Sequence, residues 1–175
     1  MITLQPHDLC WTHGAADDPQ DQCAHGKVEF TIDGAALIAP SYGEWTLSAA
    51  ALYLLRALSD DHSRENPVAE DNFLFPCCGF TVWLTEGRYR VMCMGCSHGI
   101  EIYIRHESSA VHITSGERCF TVLSQEWHAA VIGFADQIES YYARCSPKAE
   151  PDDLIDREGW TAFWSEWRER RGNWR

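Results

Sequence analysis

Short segments in which polar and apolar residues alternate constrain the fold of this chain more than any other feature. Ile100, Ile102 and Ile104 alternate with polar residues, and residues 73–123 as a whole look like a series of short strands, one of them Phe80–Leu84. Turn dipeptides such as Ser115-Gly116 separate these segments. A period of two residues is typical of strands that bury one face and expose the other. The segment therefore predicts an antiparallel meander.

A hairpin is predicted closer to the N-terminus. Residues 27–32 alternate like a half-buried strand, and Asp33-Gly34, the strongest short hairpin signal, follows them. Residues 35–39 are the predicted return strand, which Pro40 ends. Residues 1–26 show no regular period and are expected to form an irregular segment.

Three segments carry apolar residues at helical spacing. They are residues 46–59, 124–145 and 156–171. In the last of them, the tryptophans at positions 160, 164 and 167 favour packing of the helix onto the core over a binding surface. Trp174 lies beyond this helix and is freer to contact a partner.

Together these patterns predict a single α+β domain over residues 1–175. A twisted antiparallel β-sheet meander carries two or three helices packed on one face. Residues 27–145 supply the sheet and two helices, and residues 156–171 form a Trp-rich C-terminal helix. The predicted core consists of Leu54, Leu58, Val91, Ile100, Ile102, Ile104, Phe120, Trp127, Val131, Phe134 and Ile138.

Charge and composition narrow the functional classes. The formal net charge is −12, which repels phosphate backbones and makes nucleic acid an unfavourable ligand. No apolar run is long enough to span a membrane, and the N-terminus lacks the pattern of a signal peptide. The expected location is therefore the cytoplasm. There the eight cysteines should be thiols or metal ligands rather than disulfides.

One group of cysteines has the residue types of a zinc site. Cys93 and Cys96 have the two-residue spacing of a zinc knuckle, and Cys77 and Cys78 lie across the predicted hairpin. Because adjacent residues of an extended segment point to opposite faces, only Cys77 or Cys78 is expected to join them. His98 is the candidate fourth ligand. The alternative is that these cysteines are small buried side chains in the hairpin.

A second group, Cys10 and His13 with Cys23 and His25, is a weaker candidate. Its Cys-x-His half is not a usual chelating spacing, which favours an ordinary polar loop. The chain has no nucleophile elbow, no phosphate-binding glycine loop and no His-Glu-x-x-His motif. No enzyme and no catalytic residue is predicted.

Acidic residues are the predicted contacts for a partner. Exposed loops displayed on a scaffold are where binding residues concentrate, and acids would steer a basic protein. The alternative is that the acidity serves solubility alone. The candidates are Asp60, Asp61, Glu65, Glu70 and Asp71 in the loop after the first helix, and Asp17, Asp18 and Asp21 near the N-terminus.

Four motifs carry a resemblance to a known family. They are Cys23–Gly26, Glu44–Arg56, Pro76–Gly79 and Phe163–Arg168. Over about residues 20–171 the chain resembles a family of bacterial cytosolic proteins associated with the immunity proteins of polymorphic toxin systems. The resemblance implies a small acidic protein that neutralises a toxin domain by binding it. The acidic charge predicts that this toxin domain is basic, and no cofactor is predicted. The alternative prediction is a zinc-binding structural or regulatory module.

Overall fold

The computed structural model describes residues 1–70, 72–79 and 81–173, without the side chain of His13. Within them, three α-helices are α1 Leu47–Arg56, α2 Ser124–Arg144 and α3 Leu154–Gly172. The strands of the same residues are β1 Ile2–Cys10, β2 His25–Ile32, β3 Ala35–Ile38, β4 Trp45–Thr46, β5 Phe73–Pro76, β6 Thr81–Leu84, β7 Val91–Met94, β8 Gly99–Glu101, β9 Tyr103–Glu107, β10 Ala110–Ser115 and β11 Arg118–Leu123.

The strands form small antiparallel sheets, so the predicted α+β class is confirmed. One sheet has the order β1-β2-β3 with β4 paired to β2, and a second has the order β11-β10-β9. Two further pairs, β5-β8 and β6-β7, stand between them in the sequence. The predicted single meander is thus divided into separate sheets. The chain leaves β5, forms the β6-β7 pair, and then returns to pair β8 with β5. Phe80, the predicted first residue of β6, lies outside the described residues.

The prediction of an irregular segment over residues 1–26 is wrong for its first part. Residues 2–10 form β1, which pairs along β2 from Ile2 opposite Ile32 to Cys10 opposite His25. The strand lies at the edge of its sheet, where a proline such as Pro6 is tolerated. The predicted Asp33-Gly34 turn is confirmed, with positive φ at both residues.

Helix α1 lies at the centre of the molecule. All ten of its residues are buried, including the polar Ser48 and Arg56. Nine of the predicted core residues are buried, whereas Ile100 and Phe120 are only partly buried and pack against the core. Among the described residues, no helix is both long enough and apolar enough to cross a membrane.

The tryptophans of α3 pack inward, as predicted. Trp160 and Trp167 are buried, and Trp164 meets Tyr142 of α2 edge-on at 4.9 Å between ring centroids. Trp174 lies outside the described residues. The aromatic face of α3 therefore packs against the rest of the protein.

A glycine sets how closely α3 approaches β6. A Cβ at Gly159 would lie 1.7 Å from the carbonyl oxygen of Val82, a backbone atom that cannot swing aside. We expect Gly159→Ala to destabilise the protein by about 1–3 kcal/mol through overpacking, although alanine favours helices. Gly172→Ala is the control, because a Cβ there meets no atom within 4 Å. Chemical denaturation of both variants measures the difference, and equal stabilities would contradict this packing.

Candidate metal centre

Two connections between the small strand pairs run side by side. The β5-β8 pairing ends with Pro76 opposite Gly99, and the Cys77 amide donates to the His98 carbonyl oxygen at 2.9 Å. The β6-β7 pairing begins with Thr81 opposite Met94. The segment that leaves β5 and the segment that leaves β7 are therefore held together at both ends.

Three cysteine sulfurs meet where these connections pass. The Sγ atoms of Cys78 and Cys96 are 3.4 Å apart, and those of Cys77 and Cys78 are 3.9 Å apart. All three sulfurs lie within 4.8 Å of one another. We call Cys77, Cys78 and Cys96 the thiol cluster. Among the described residues it is the one group of three or more His, Cys, Asp or Glu with this proximity.

A glycine permits this approach. A Cβ at Gly95 would lie 2.4 Å from the carbonyl oxygen of Cys78. The backbones of the two connections are thus in direct contact, and a larger residue at position 95 would push Cys96 away from Cys78. On the other connection, the Thr46 hydroxyl donates to the Cys77 carbonyl oxygen at 3.1 Å and fixes the start of the turn.

The pKa values of Cys77 and Cys96 shift in opposite directions. Partial burial, together with the hydrogen bonds that the neutral Cys77 thiol donates to the sulfurs of Cys96 and Cys78, raises the pKa of Cys77 to about 11. The pKa of Cys96 is lowered, chiefly by a hydrogen bond from Cys78 and further by one from Cys77 and by nearby backbone amides. The surroundings of Cys96 thus favour its thiolate, the form that binds a soft cation.

Two predicted ligands are not in the thiol cluster. Cys93 is buried on the core face of β7 beside Val91, and burial raises its pKa to about 11. The predicted pairing of Cys93 with Cys96 is therefore wrong, and Cys77 and Cys78 both contribute instead of one. His98 is exposed, and its ring is not a member of the cluster.

The second predicted group does not assemble among the described residues. The Cys23 sulfur is buried and lies 3.9 Å from the Gly79 carbonyl oxygen. His25 lies near Asp21, with Nδ1 3.9 Å from its carboxylate. Cys10 ends β1, and the side chain of His13 lies outside the described residues. The preferred interpretation of an ordinary polar loop is wrong for these residues, because Cys10 and His25 are strand partners and Cys23 is buried.

A cavity of about 240 Å³ adjoins the thiol cluster. Cys78 and Cys96 form part of its wall, and Tyr53, Phe73 and Glu70 line other parts. The cluster is itself at the surface, since Cys77 and Cys96 are exposed and Cys78 is half-buried. A bound ion would therefore keep contact with solvent.

The acidic loop after α1 is more engaged than the sequence indicates. Asp60 accepts from Arg88 at 2.5 Å and from the Tyr89 hydroxyl at 3.3 Å, and Arg170 lies 3.9 Å away. Asp61 is exposed but accepts the His106 amide at 2.7 Å. These two carboxylates therefore anchor the loop to β9, α3 and the β6-β7 turn. Glu65 and Glu70 are exposed, and Asp71 lies outside the described residues.

The N-terminal acids also hold local structure. Asp17 accepts the Ser146 hydroxyl at 2.6 Å, and Asp18 accepts the Gln20 amide at 2.9 Å. Asp21 accepts the Thr12 amide and hydroxyl at 2.5 and 2.7 Å. These hydrogen bonds explain why aspartates stand at these three positions without invoking a binding partner. A role in partner binding stays a prediction for all the acidic candidates.

The chain matches no protein-family model, no curated protein and no solved structure. The expectation of a toxin partner stays a prediction. The thiol cluster is the feature whose geometry points to a definite chemistry, which is the binding of a soft metal ion. The sequence contained a signal that could have excluded Cys93 from the site. Cys93 follows Val91 at the two-residue period of a strand, which places both side chains on the buried face.

Proposed function

We propose that the protein binds one zinc ion through the thiolates of Cys77, Cys78 and Cys96. The observation that carries the proposal is the spacing of the sulfurs. Zinc bound tetrahedrally at a Zn–S distance of about 2.3 Å requires sulfurs about 3.8 Å apart. The distances of 3.4 and 3.9 Å lie on either side of this value.

The chemistry of the donors supports the same ion. Thiolates are soft ligands that select zinc, copper(I) or iron–sulfur clusters over magnesium and calcium. Three protein ligands leave the fourth tetrahedral position to water or another small ligand, and the exposure of Cys77 and Cys96 gives that position to solvent. The proposal includes a reducing location such as the cytoplasm, where thiols persist.

The proposed role of the ion is to tie two parts of the chain together. Cys77 and Cys78 follow β5, whereas Cys96 follows β7, and only short ladders hold these strands. A ligand that binds the folded state alone stabilises it in proportion to the logarithm of its concentration. Zinc therefore acts here as a structural cross-link between the two small strand pairs.

The test is a zinc titration of metal-free, reduced protein against a chelator of known affinity. We expect about one zinc per chain and an increase in melting temperature on binding. Cobalt(II) as a substitute reports thiolate ligation through its absorption spectrum. Binding should weaken as the pH falls, because the thiols must lose their protons to bind.

Single substitutions identify the ligands. Cys77→Ser, Cys78→Ser and Cys96→Ser should each weaken zinc binding by more than about tenfold, since even outer-shell partners are worth 10–100-fold. Cys119→Ser is the matched control, because Cys119 is also exposed but lies on β11 away from the cluster. Cys93→Ala should retain the affinity. If wild type and Cys96→Ser bind zinc equally, the proposed site is wrong.

A further inference from the structure

We propose that Cys78 and Cys96 are a redox modification site, at which oxidation forms a reversible intramolecular disulfide. We further propose that this disulfide and a bound zinc ion are alternative states of one cluster, and this second part rests on the proposed function. The observation that carries the inference is the approach of two thiols from separate connections. Their sulfurs are 3.4 Å apart.

The backbone geometry allows this bond with a small movement. A disulfide bond is about 2.05 Å long, so the two sulfurs need to approach by about 1.4 Å. A disulfide also requires the two backbones to be close. The contact between Gly95 and the Cys78 carbonyl provides this, because a Cβ at Gly95 would already overlap that oxygen. The ladders on both sides of the cluster can stay intact.

Exposure of Cys96, together with the short distance between the two sulfurs, favours oxidation of this pair. Cys96 is exposed, so a small oxidant such as hydrogen peroxide reaches its sulfur from solvent. Cys23 and Cys93 are buried and are shielded from the same reagent. Cys119 is exposed, but it lies on β11 and is not a member of the thiol cluster. We assign Cys78 as the resolving partner because its sulfur lies 3.4 Å from that of Cys96, closer than its 3.9 Å separation from the adjacent Cys77 sulfur, and the Cys77→Ser variant below tests this choice.

The reaction balances with hydrogen peroxide as the oxidant. The Cys96 thiolate attacks one peroxide oxygen, an S–O bond forms, and the O–O bond breaks to release hydroxide. The Cys78 thiolate then attacks the resulting sulfenic sulfur, an S–S bond forms, and the S–O bond breaks. Two thiols lose two electrons and two protons, and the peroxide becomes two water molecules. A dithiol reductant reverses the change by thiol–disulfide exchange.

Zinc and the disulfide exclude each other because they use the same sulfurs. Thiolates, not disulfides, are the zinc ligands, so oxidation removes two of the three proposed donors. Cys77 alone would remain, and one thiolate does not hold zinc against solvent. The ion leaves as Zn²⁺ with no change in its own oxidation state.

Tryptic mapping tests the disulfide on metal-free protein. The chain has trypsin sites at Arg64, Arg88, Arg90 and Arg105. Cys77 and Cys78 thus fall in the peptide 65–88, and Cys93 and Cys96 fall in the peptide 91–105. After treatment with hydrogen peroxide and alkylation of the remaining thiols, we expect these two peptides to be linked. Treatment with a dithiol should separate them.

Variants assign the bond. Cys78→Ser and Cys96→Ser should abolish the linked peptide, whereas Cys77→Ser and Cys119→Ser should retain it. A linked peptide that persists in Cys78→Ser would overturn the assignment to Cys78. Oxidation of wild type to sulfinic and sulfonic acids without any linked peptide would overturn the redox pair. Circular dichroism of each variant confirms that it has folded.

A second measurement tests the exclusion. Zinc-loaded protein is treated with hydrogen peroxide, and released zinc is followed with a metal-sensitive dye. We expect zinc release in step with disulfide formation, and rebinding after reduction. Zinc that stays bound to the oxidised protein would overturn the alternative-state inference. If wild type fails to load zinc, the proposed function and the exclusion both fail, whereas the peptide map still decides the redox pair by itself.

Discussion

Glu166→Ala is expected to destabilise the protein by about 3–5 kcal/mol, because it leaves a buried arginine without its counter-charge. Arg56 and Glu166 are each about 2% exposed. Arg56 Nε donates to Oε1 of the carboxylate at 2.8 Å, and Nη2 donates to Oε2 at 3.0 Å. Urea denaturation measures the free energy of unfolding of the variant against wild type.

The size of the effect follows from how fully the network is satisfied. Arg56 also donates to the carbonyl oxygens of Val68 and Val91, at 2.9 and 2.7 Å. Glu166 accepts two further hydrogen bonds, from Arg170 Nε at 2.7 Å and from the Arg90 amide at 3.0 Å. The pair thus joins α1, α3 and β7, and its removal affects all three elements.

Glu169→Ala provides the matched control. Glu169 lies one turn beyond Glu166 on α3, and it also pairs with an arginine, Arg90. Its side chain is 55% exposed, and exposed pairs contribute about 0–1 kcal/mol. A loss of stability in Glu166→Ala no larger than that in Glu169→Ala would contradict the role assigned to the buried pair.

The same network predicts a dependence on pH. Burial acts to raise the pKa of Glu166, but the hydrogen bonds and charges of Arg56 and Arg170 outweigh it and hold the pKa below its ordinary value of 4.5. The unfolded chain therefore binds this proton more readily than the native protein. The stabilisation is fully present above pH 4.5 and is lost as the pH falls through the lowered pKa. The stability difference between wild type and Glu166→Gln should shrink over that range.

Local patterns in the sequence predicted most of the elements but not the contacts between distant ones. The helices carry apolar residues at helical spacing, and Asp33-Gly34 marks its turn without ambiguity. The burial of Arg56 has no local signal, because its partner Glu166 lies 110 residues away along the chain. Strand β1 was missed because residues 1–26 as a whole were judged to show no regular period. Its proline, Pro6, is accommodated because β1 lies at a sheet edge.

The thiol cluster was predicted in its location but not in its membership. Cys77 and Cys78 were expected to diverge as neighbours in an extended segment, but the chain bends at Cys77 after β5 ends at Pro76. Where the strand ends, alternation no longer separates adjacent side chains. Cys93 lies within β7, where alternation does apply and directs it into the core. Sequence patterns locate the ends of strands poorly. The end of β5 before Cys77 and the end of β7 after Cys93 therefore determined which cysteines join the cluster.

Phe134→Ala is the second substitution with a large expected effect, about 3–5 kcal/mol of destabilisation. Phe134 is fully buried on α2, and its ring meets that of Phe75 on β5 edge-on at 6.2 Å between centroids. The substitution removes the ring and leaves a cavity between helix and strand. This loss approaches the whole stability of a marginal domain, so thermal and chemical denaturation should both show it.

The neighbouring Gly133→Ala should change stability in the opposite direction. A Cβ at Gly133 meets no atom within 4 Å, and alanine in a helix interior is favoured over glycine by about 0.5–1 kcal/mol. The two substitutions place alanine, the best helix former, at adjacent residues of α2, so helix propensity alone would make both of them stabilising. A contrast in sign therefore isolates packing against Phe75 as the cause of the loss in Phe134→Ala. Two variants that both leave the melting temperature unchanged would show that this face of α2 does not pack on the core.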